Sequence, residues 1–170
     1  MGNINKARTN DAGYLLTQDY NDNEIGLGHR YSSFFAETLA ASTNTSITTI
    51  TSDATKSSLL WISVDTDKPG LYEFYENAIV GAGTAMSAIN NNRQLNITAT
   101  SVLVANPAIT TVGTFIGSHI IGSTTGGSTK SGGSSNVNKY LMKKSTTYLM
   151  RFTTDISTCR VTHGIFWDEQ

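Results

Sequence analysis

Three short stretches of this 170-residue chain carry residue types that could do chemistry. The first is Gly122 to Asn136, "GSTTGGSTKSGGSSN". Gly122 and Gly127 have the spacing of a phosphate-binding loop, whose backbone N–H groups cradle phosphate while a lysine directly after the last glycine reaches the outer phosphates. Here Ser128 and Thr129 intervene before Lys130, and no Leu/Ala-rich helix follows to aim its dipole at an anion. The stretch reads instead as a loop between two strands of one domain.

The second stretch is "DYNDNE". Asp19, Asn21 and Asn23 occupy the first, third and fifth positions of a calcium loop, but Glu24 replaces the turn glycine and Arg30 stands where the bidentate glutamate belongs. The third is the pair Cys159 and His163. On a strand they share a face about 13 Å apart, at roughly 3.3 Å per residue, too far to hold one zinc. Asp65 and Asp67 flank a turn before Pro69 and fit turn chemistry better than ion binding. The nucleophile-elbow pattern G-x-S-x-G is missing, so no recognisable setting activates a serine. These readings predict no enzyme, no cofactor and no metal.

The elements that would carry such residues are strands. Ser and Thr make up 43 residues and proline only 2, a composition that favours strands and polar turns. In "SSLLWISVDTD", Leu60, Ile62 and Val64 fall on one face with Leu59, Trp61 and Ser63 on the other, a clear period of two. "GLYEFYENAIV" repeats the pattern less cleanly, "LNITATSVLVAN" sets Leu95, Ile97 and Ala99 on one side before Thr98, Thr100, Val102 and Val104 take the other, and "TTYLMRFTT" and "CRVTHGIFWDEQ" supply further strands, separated by Gly, Asn and Asp punctuation. "GTAMSAINNN" fits either a short helix or a strand ending in an asparagine turn. Eight to ten strands at this spacing predict an all-β fold, a single antiparallel β-sandwich of jelly-roll type. Residues 1–30 are polar with scattered apolars and read as an extended N-terminal arm, ahead of a sandwich domain over 31–170 with the Gly/Ser-rich loop at 122–136.

Charge narrows the partners. Twelve Lys and Arg stand against 13 Asp and Glu, a net charge of −1, so no global field draws in nucleic acid or an acidic membrane. No stretch approaches a membrane span, and the first 24 residues lack the apolar run of a secretion signal. The one cysteine fits a buried thiol in a reducing compartment. Tyr72, Phe74, Tyr75, Trp61 and Trp167 could build a sugar-binding platform, although aromatics at alternating positions more often fill a sandwich core.

Read in order, "GLGHRYSSFFAE", "GLYEFYENAIVGAGTAMSAINNNR", "KYLMKKSTTYLMRFTT" and "VTHGIFWDE" resemble the small auxiliary capsid proteins, also called decoration or head proteins, of tailed bacteriophages. They are similar to that family's Gly-His-x-x-Ser-Phe entry strand, its acidic strand with Gly-Thr and Asn-x-Asn-Arg turns, and its Thr-x-Tyr-Leu strand pair closing on an aromatic-acidic dipeptide. The likeness spans about residues 26–169. It implies a structural virion protein made in the host bacterial cytoplasm, seated on the capsid surface, bound to the major capsid protein and self-associated as a homotrimer. Capsid or subunit contacts would fall on Tyr14, Leu15, Leu16 and Tyr20 of the arm. Arg93 would either pair with a carboxylate across an interface or close its own turn. A carbohydrate- or receptor-binding module of a phage tail or fibre is the alternative.

Overall fold

The computed structural model describes residues 8–9, 15–16, 20–40, 45–121, 139–155 and 158–170. Strands dominate it. After two short paired strands, β1 (Arg8–Thr9) and β2 (Leu15–Leu16), and one helix, α1 (Tyr20–Gly26), come β3 (Arg30–Leu39), β4 (Thr45–Thr51), β5 (Ser58–Thr66) and β6 (Gly70–Glu76). Four short strands follow: β7 (Ile79–Val80), β8 (Thr84–Ala85), β9 (Ile89–Asn90) and β10 (Val102–Ala105). The rest are β11 (Ile109–Thr111), β12 (Thr114–Ile121), β13 (Tyr140–Met142), β14 (Thr147–Thr153) and β15 (Cys159–Glu169).

These strands build two principal antiparallel sheets, one in the order β12-β6-β14-β4-β10-β8 and one in the order β13-β5-β15-β3-β9. The alternation in "LLWISVD" survives intact, since Leu60, Ile62 and Val64 are all buried while Leu59, Trp61 and Ser63 lie half-exposed on the opposite side. The core between the sheets holds Tyr31, Tyr72, Phe74, Tyr148, Phe152 and Trp167, with the Tyr31 and Trp167 rings stacked at 5.5 Å. Full burial of each large apolar side chain contributes about 1.5–3 kcal/mol. A smaller cluster of Tyr75, Ala78 and Leu149 lies on the outer side of the six-stranded sheet, covered by the β7–β11 ribbon. Gly113, at φ 86°, turns that ribbon back into β12; a Cβ there would sit 2.2 Å from the Glu76 carbonyl oxygen.

Part of the expected extended arm is neither extended nor loose. Tyr20–Gly26 is helical and ends on a left-handed Gly28 (φ 75°), with Gly28 N–H donating to the Ile25 carbonyl and His29 N–H to that of Glu24. The buried Glu24 carboxylate meets His29 Nδ1 at 3.0 Å, fixing the entry into β3. Tyr20–Glu24 of "DYNDNE" is therefore helical, and Asp19 lies outside the described residues. "GTAMSAINNN" takes the strand alternative, as β8 and β9 followed by an asparagine turn. The Gly/Ser-rich loop at 122–136 lies outside the described residues.

β15 is the middle strand of its sheet, paired with β3 over ten residues and with β5 over nine. Its end is fixed by two neighbouring carboxylates. Asp168 receives a bidentate bond from Arg30, at 2.7 Å from Nε and 2.9 Å from Nη2. Glu169 accepts from Trp167 Nε1 (2.9 Å), Ser101 N (2.8 Å) and both Thr100 N (2.9 Å) and Thr100 Oγ1 (2.7 Å), with Lys56 Nζ at 3.2 Å. Burial alone would raise the Glu169 carboxyl, but these donors outweigh it and hold it down at about 2. Replacing Glu169 by Ala strands several buried donors and should cost about 3–5 kcal/mol. Urea unfolding with an unchanged slope checks this, and a loss below about 1 kcal/mol would contradict it.

Candidate interaction face

The outer side of the five-stranded sheet is built from alternate residues of β5, β15 and β3. Register sets Phe166 opposite Trp61, and Gly164 opposite both Ser63 and Phe34. The Trp61 and Phe166 rings lie nearly parallel with centroids 6.3 Å apart, and Phe34 meets Phe166 edge-on at 5.5 Å. Gly164 is needed beneath them, because a Cβ there would come within 2.4 Å of Ser63 Oγ and 3.1 Å of the Phe166 ring. The Arg30 guanidinium sits 4.5 Å from the Trp61 ring centre while gripping Asp168, so one aromatic face is occupied by a fixed cation. Lys139 Nζ lies 5.7 Å from the same ring.

Apolar side chains flank this row in the open. Phe34 is 57% exposed, Leu141 74% and Ile89 40%. Such a surface, aromatic at its centre and resting on the best-paired strands, has the composition of a protein contact. Sequence reasoning named Trp61 but missed Phe34 and Phe166. The signal was present in the Phe34-Phe35 doublet, because two adjacent rings on a strand must point to opposite sides and one of them leaves the core.

The opposite outer side carries a groove of about 780 Å³ bounded by Ile47, Leu71, Glu73, Ile120, Arg151 and Asp155. Its cation is already engaged, since Arg151 Nε donates to Glu73 at 2.8 Å and Nη2 to Tyr75 OH at 2.6 Å.

The residues singled out for chemistry scatter. Cys159 lies buried beside Thr66 Oγ1 at 3.3 Å, and burial pushes its thiol up. His163, inward on the same strand, contacts Ser46 Oγ at 2.9 Å and Thr48 Oγ1 at 3.4 Å. Ser46 in turn donates to the Glu37 carboxylate, so Nε2 of His163 carries a proton and donates to the serine. That chain runs opposite to nucleophile activation, in which the imidazole takes the serine proton, and both side chains are fully buried. Asp67 accepts the Arg160 N–H at 2.7 Å and acts as a turn residue. Among the described residues no three His, Cys, Asp or Glu side chains gather as a metal site.

Of the arm residues, Tyr14 lies outside the described residues. Leu15 and Leu16 form β2, and Tyr20 opens α1; the contacts of their side chains also lie outside the described residues. Arg93 is exposed in a turn closed by Asn90 and Asn92, whose side chains accept the N–H groups of Asn92 (2.8 Å) and Gln94 (3.0 Å). Tyr72, Phe74 and Trp167 belong to the core and Tyr75 to the second cluster, leaving Trp61 alone of the expected platform near the surface. Compared with known proteins, the chain matches no family model, no curated protein and no solved structure.

Burial drives the pKa of His163 down to about 4 from an ordinary 6.5. The unfolded chain therefore binds a proton that the folded one refuses between these values, and stability falls as pH drops through this window by about 3 kcal/mol, then levels off from this group below pH 4. His163→Gln should flatten that part of the curve in pH-dependent unfolding. An unchanged slope between pH 6.5 and 4 would refute the assignment to His163.

Proposed function

We propose that this chain is a structural virion protein that binds the outside of a tailed-phage capsid and stabilises or decorates the shell, with the Phe34–Phe166–Trp61 face as its docking surface. The observation that carries the proposal is that exposed aromatic and apolar row on rigid, centrally paired strands. The motif order that resembles decoration proteins supports it independently.

The finer reading of the fold belongs with it. Strands β3, β15, β5 and β13 are neighbours in one sheet and β4, β14, β6 and β12 in the other, while the chain changes sheet at nearly every step. Both facts support a jelly roll. We also propose the contacts expected of the N-terminal segment, at Tyr14, Leu15, Leu16 and Tyr20, as a further surface for a neighbour.

The mechanism is linkage. A protein that binds the assembled shell, and not its dissociated subunits, stabilises the shell by about 2.7 kcal/mol per site at a free concentration 100 times Kd. Repeated sites on a lattice let associated copies bind with raised apparent affinity.

A sugar-binding module of a tail or fibre draws on the same rings. Arg30 over the Trp61 face leaves that ring less surface for stacking a sugar, which favours the protein partner.

Purified protein mixed with undecorated shells should co-sediment saturably and raise the temperature of shell disruption. Phe34→Asp should weaken that binding at least about tenfold while the free protein stays folded, since the side chain is largely exposed. Absence of saturable binding by the parent protein would overturn the proposal, and binding that the substitution leaves unchanged would remove this face from it.

A further inference from the structure

β12 is covered unlike any other long strand. Its burial pattern leaves six of eight residues exposed, Gly117 half-buried and only Ile121 buried, so most of both its faces lie open. It is the outer strand of its sheet: β6 pairs with one side over seven residue pairs, and the other side has no strand among the described residues. Exposed edges are ordinarily blunted with lysine, inward charge, proline or brevity. "TFIGSHII" contains no Lys, Arg, Asp, Glu or Pro. Instead it presents Phe115 at 54% exposure and Ile120 at 74%.

The strand does carry a bulge, where the register with β6 shifts between Phe115 and Gly117, leaving Ile116 unpaired. The bulge sets which residues of the edge share a side. Phe115, Ser118 and Ile120 stand opposite Tyr75, Glu73 and Leu71 on the outer side; Gly117 and His119 stand opposite Phe74 and Tyr72 on the inner side. We propose that β12 pairs antiparallel with β12 of a second copy of this chain, about a two-fold axis through Ser118, joining the two six-stranded sheets edge to edge.

With the axis there, Gly117 meets the partner's His119. Once Ile116 is passed over as the bulge, Phe115 meets the partner's Ile120 and Thr114 the partner's Ile121. Every pair then joins residues on the same side of the sheet, as strand pairing requires. Counting Ile116 as paired would set outer Phe115 against inner Ile121.

Two Phe115–Ile120 pairs cover the most exposed apolar side chains of the strand. Among the described residues, a Cβ at Gly117 would meet nothing within 4 Å, which leaves room for the opposing imidazole. Glu73 and Arg151, on β6 and β14 beside this edge, offset each other's charge at 2.8 Å. The contact leaves the Phe34–Phe166–Trp61 face free and holds or fails independently of shell binding.

The test uses the whole chain in solution without shells. Cys159 is the only native cysteine and is buried, so Ser118→Cys supplies an accessible thiol at the axis. Directly opposed residues in an antiparallel pair lie about 4.5–5.5 Å apart at Cα, within disulfide range. Mild oxidation should convert most of this variant to a linked pair of chains, whereas Thr38→Cys on the distant β3 should remain unlinked. In sedimentation equilibrium, Ile120→Lys should weaken the association step at least tenfold without lowering the melting temperature at low concentration. The proposal is overturned if the parent protein shows no concentration-dependent association, if Ser118→Cys links no faster than Thr38→Cys, or if Ile120→Lys leaves association intact. The last result would assign self-association to another surface, and pairing of β12 with a strand of a different protein would likewise leave Ser118→Cys unlinked.

Discussion

Two adjacent buried carboxylates, Asp168 and Glu169, impose the constraint on which the rest of the structure depends. They point to opposite sides of β15, and each would cost several kcal/mol if it lost its partners in the interior. Asp168 is satisfied by the Arg30 fork, from the beginning of β3, while Glu169 needs Trp167, Thr100, Ser101 and Lys56. Slipping β15 by two residues would keep every side chain on its own side of the sheet yet strand both carboxylates. The ion pairs and bonds at the end of the strand therefore specify a register that apolar alternation alone would leave less sharply defined.

That register governs both sides of the sheet. Inward, it aligns Ile165 and Trp167 with the core and sets His163 against Ser46 in the same interior. Outward, it brings Phe166 beside Trp61 and holds Arg30 over the Trp61 ring, so the aromatic row rests on a fixed ionic pair. A surface prepared in this way loses little side-chain freedom when a partner covers it, which is the physical advantage of a rigid docking face. The contrast with β12 is informative, since there the apolar side chains are exposed at an edge whose strand partners, among the described residues, lie on one side only.

Much of the sheet structure was legible because "LLWISVD" alternates cleanly, and a strand buried on one side leaves that trace, whereas in "TTYLMRFTT" Leu149 is buried on the outer side between the inward Tyr148 and Met150. The α1 helix was not, because "DYNDNE" is polar throughout; its folding depends on Glu24 reaching His29 and on Gly28 ending the turn, a tertiary pairing with weak local signal. Glu169 was equally opaque, as its partners at residues 100 and 101 are far away in sequence. Trp61 was recognised among aromatics that mostly belong inside, whereas the exposed Phe34 could be found only by following the consequence of two adjacent phenylalanines. The hydrogen-bonded serine and histidine lie 117 positions apart, so spacing could not reveal their contact.

The most direct measurement of the central claim is a particle reconstruction of shells incubated with the protein. The account predicts added density that fits the sandwich, with β5, β15 and β3 turned toward the capsid and Phe34, Trp61 and Phe166 at the contact. Shells without added density, or a sandwich seated with that face toward solvent, would contradict it.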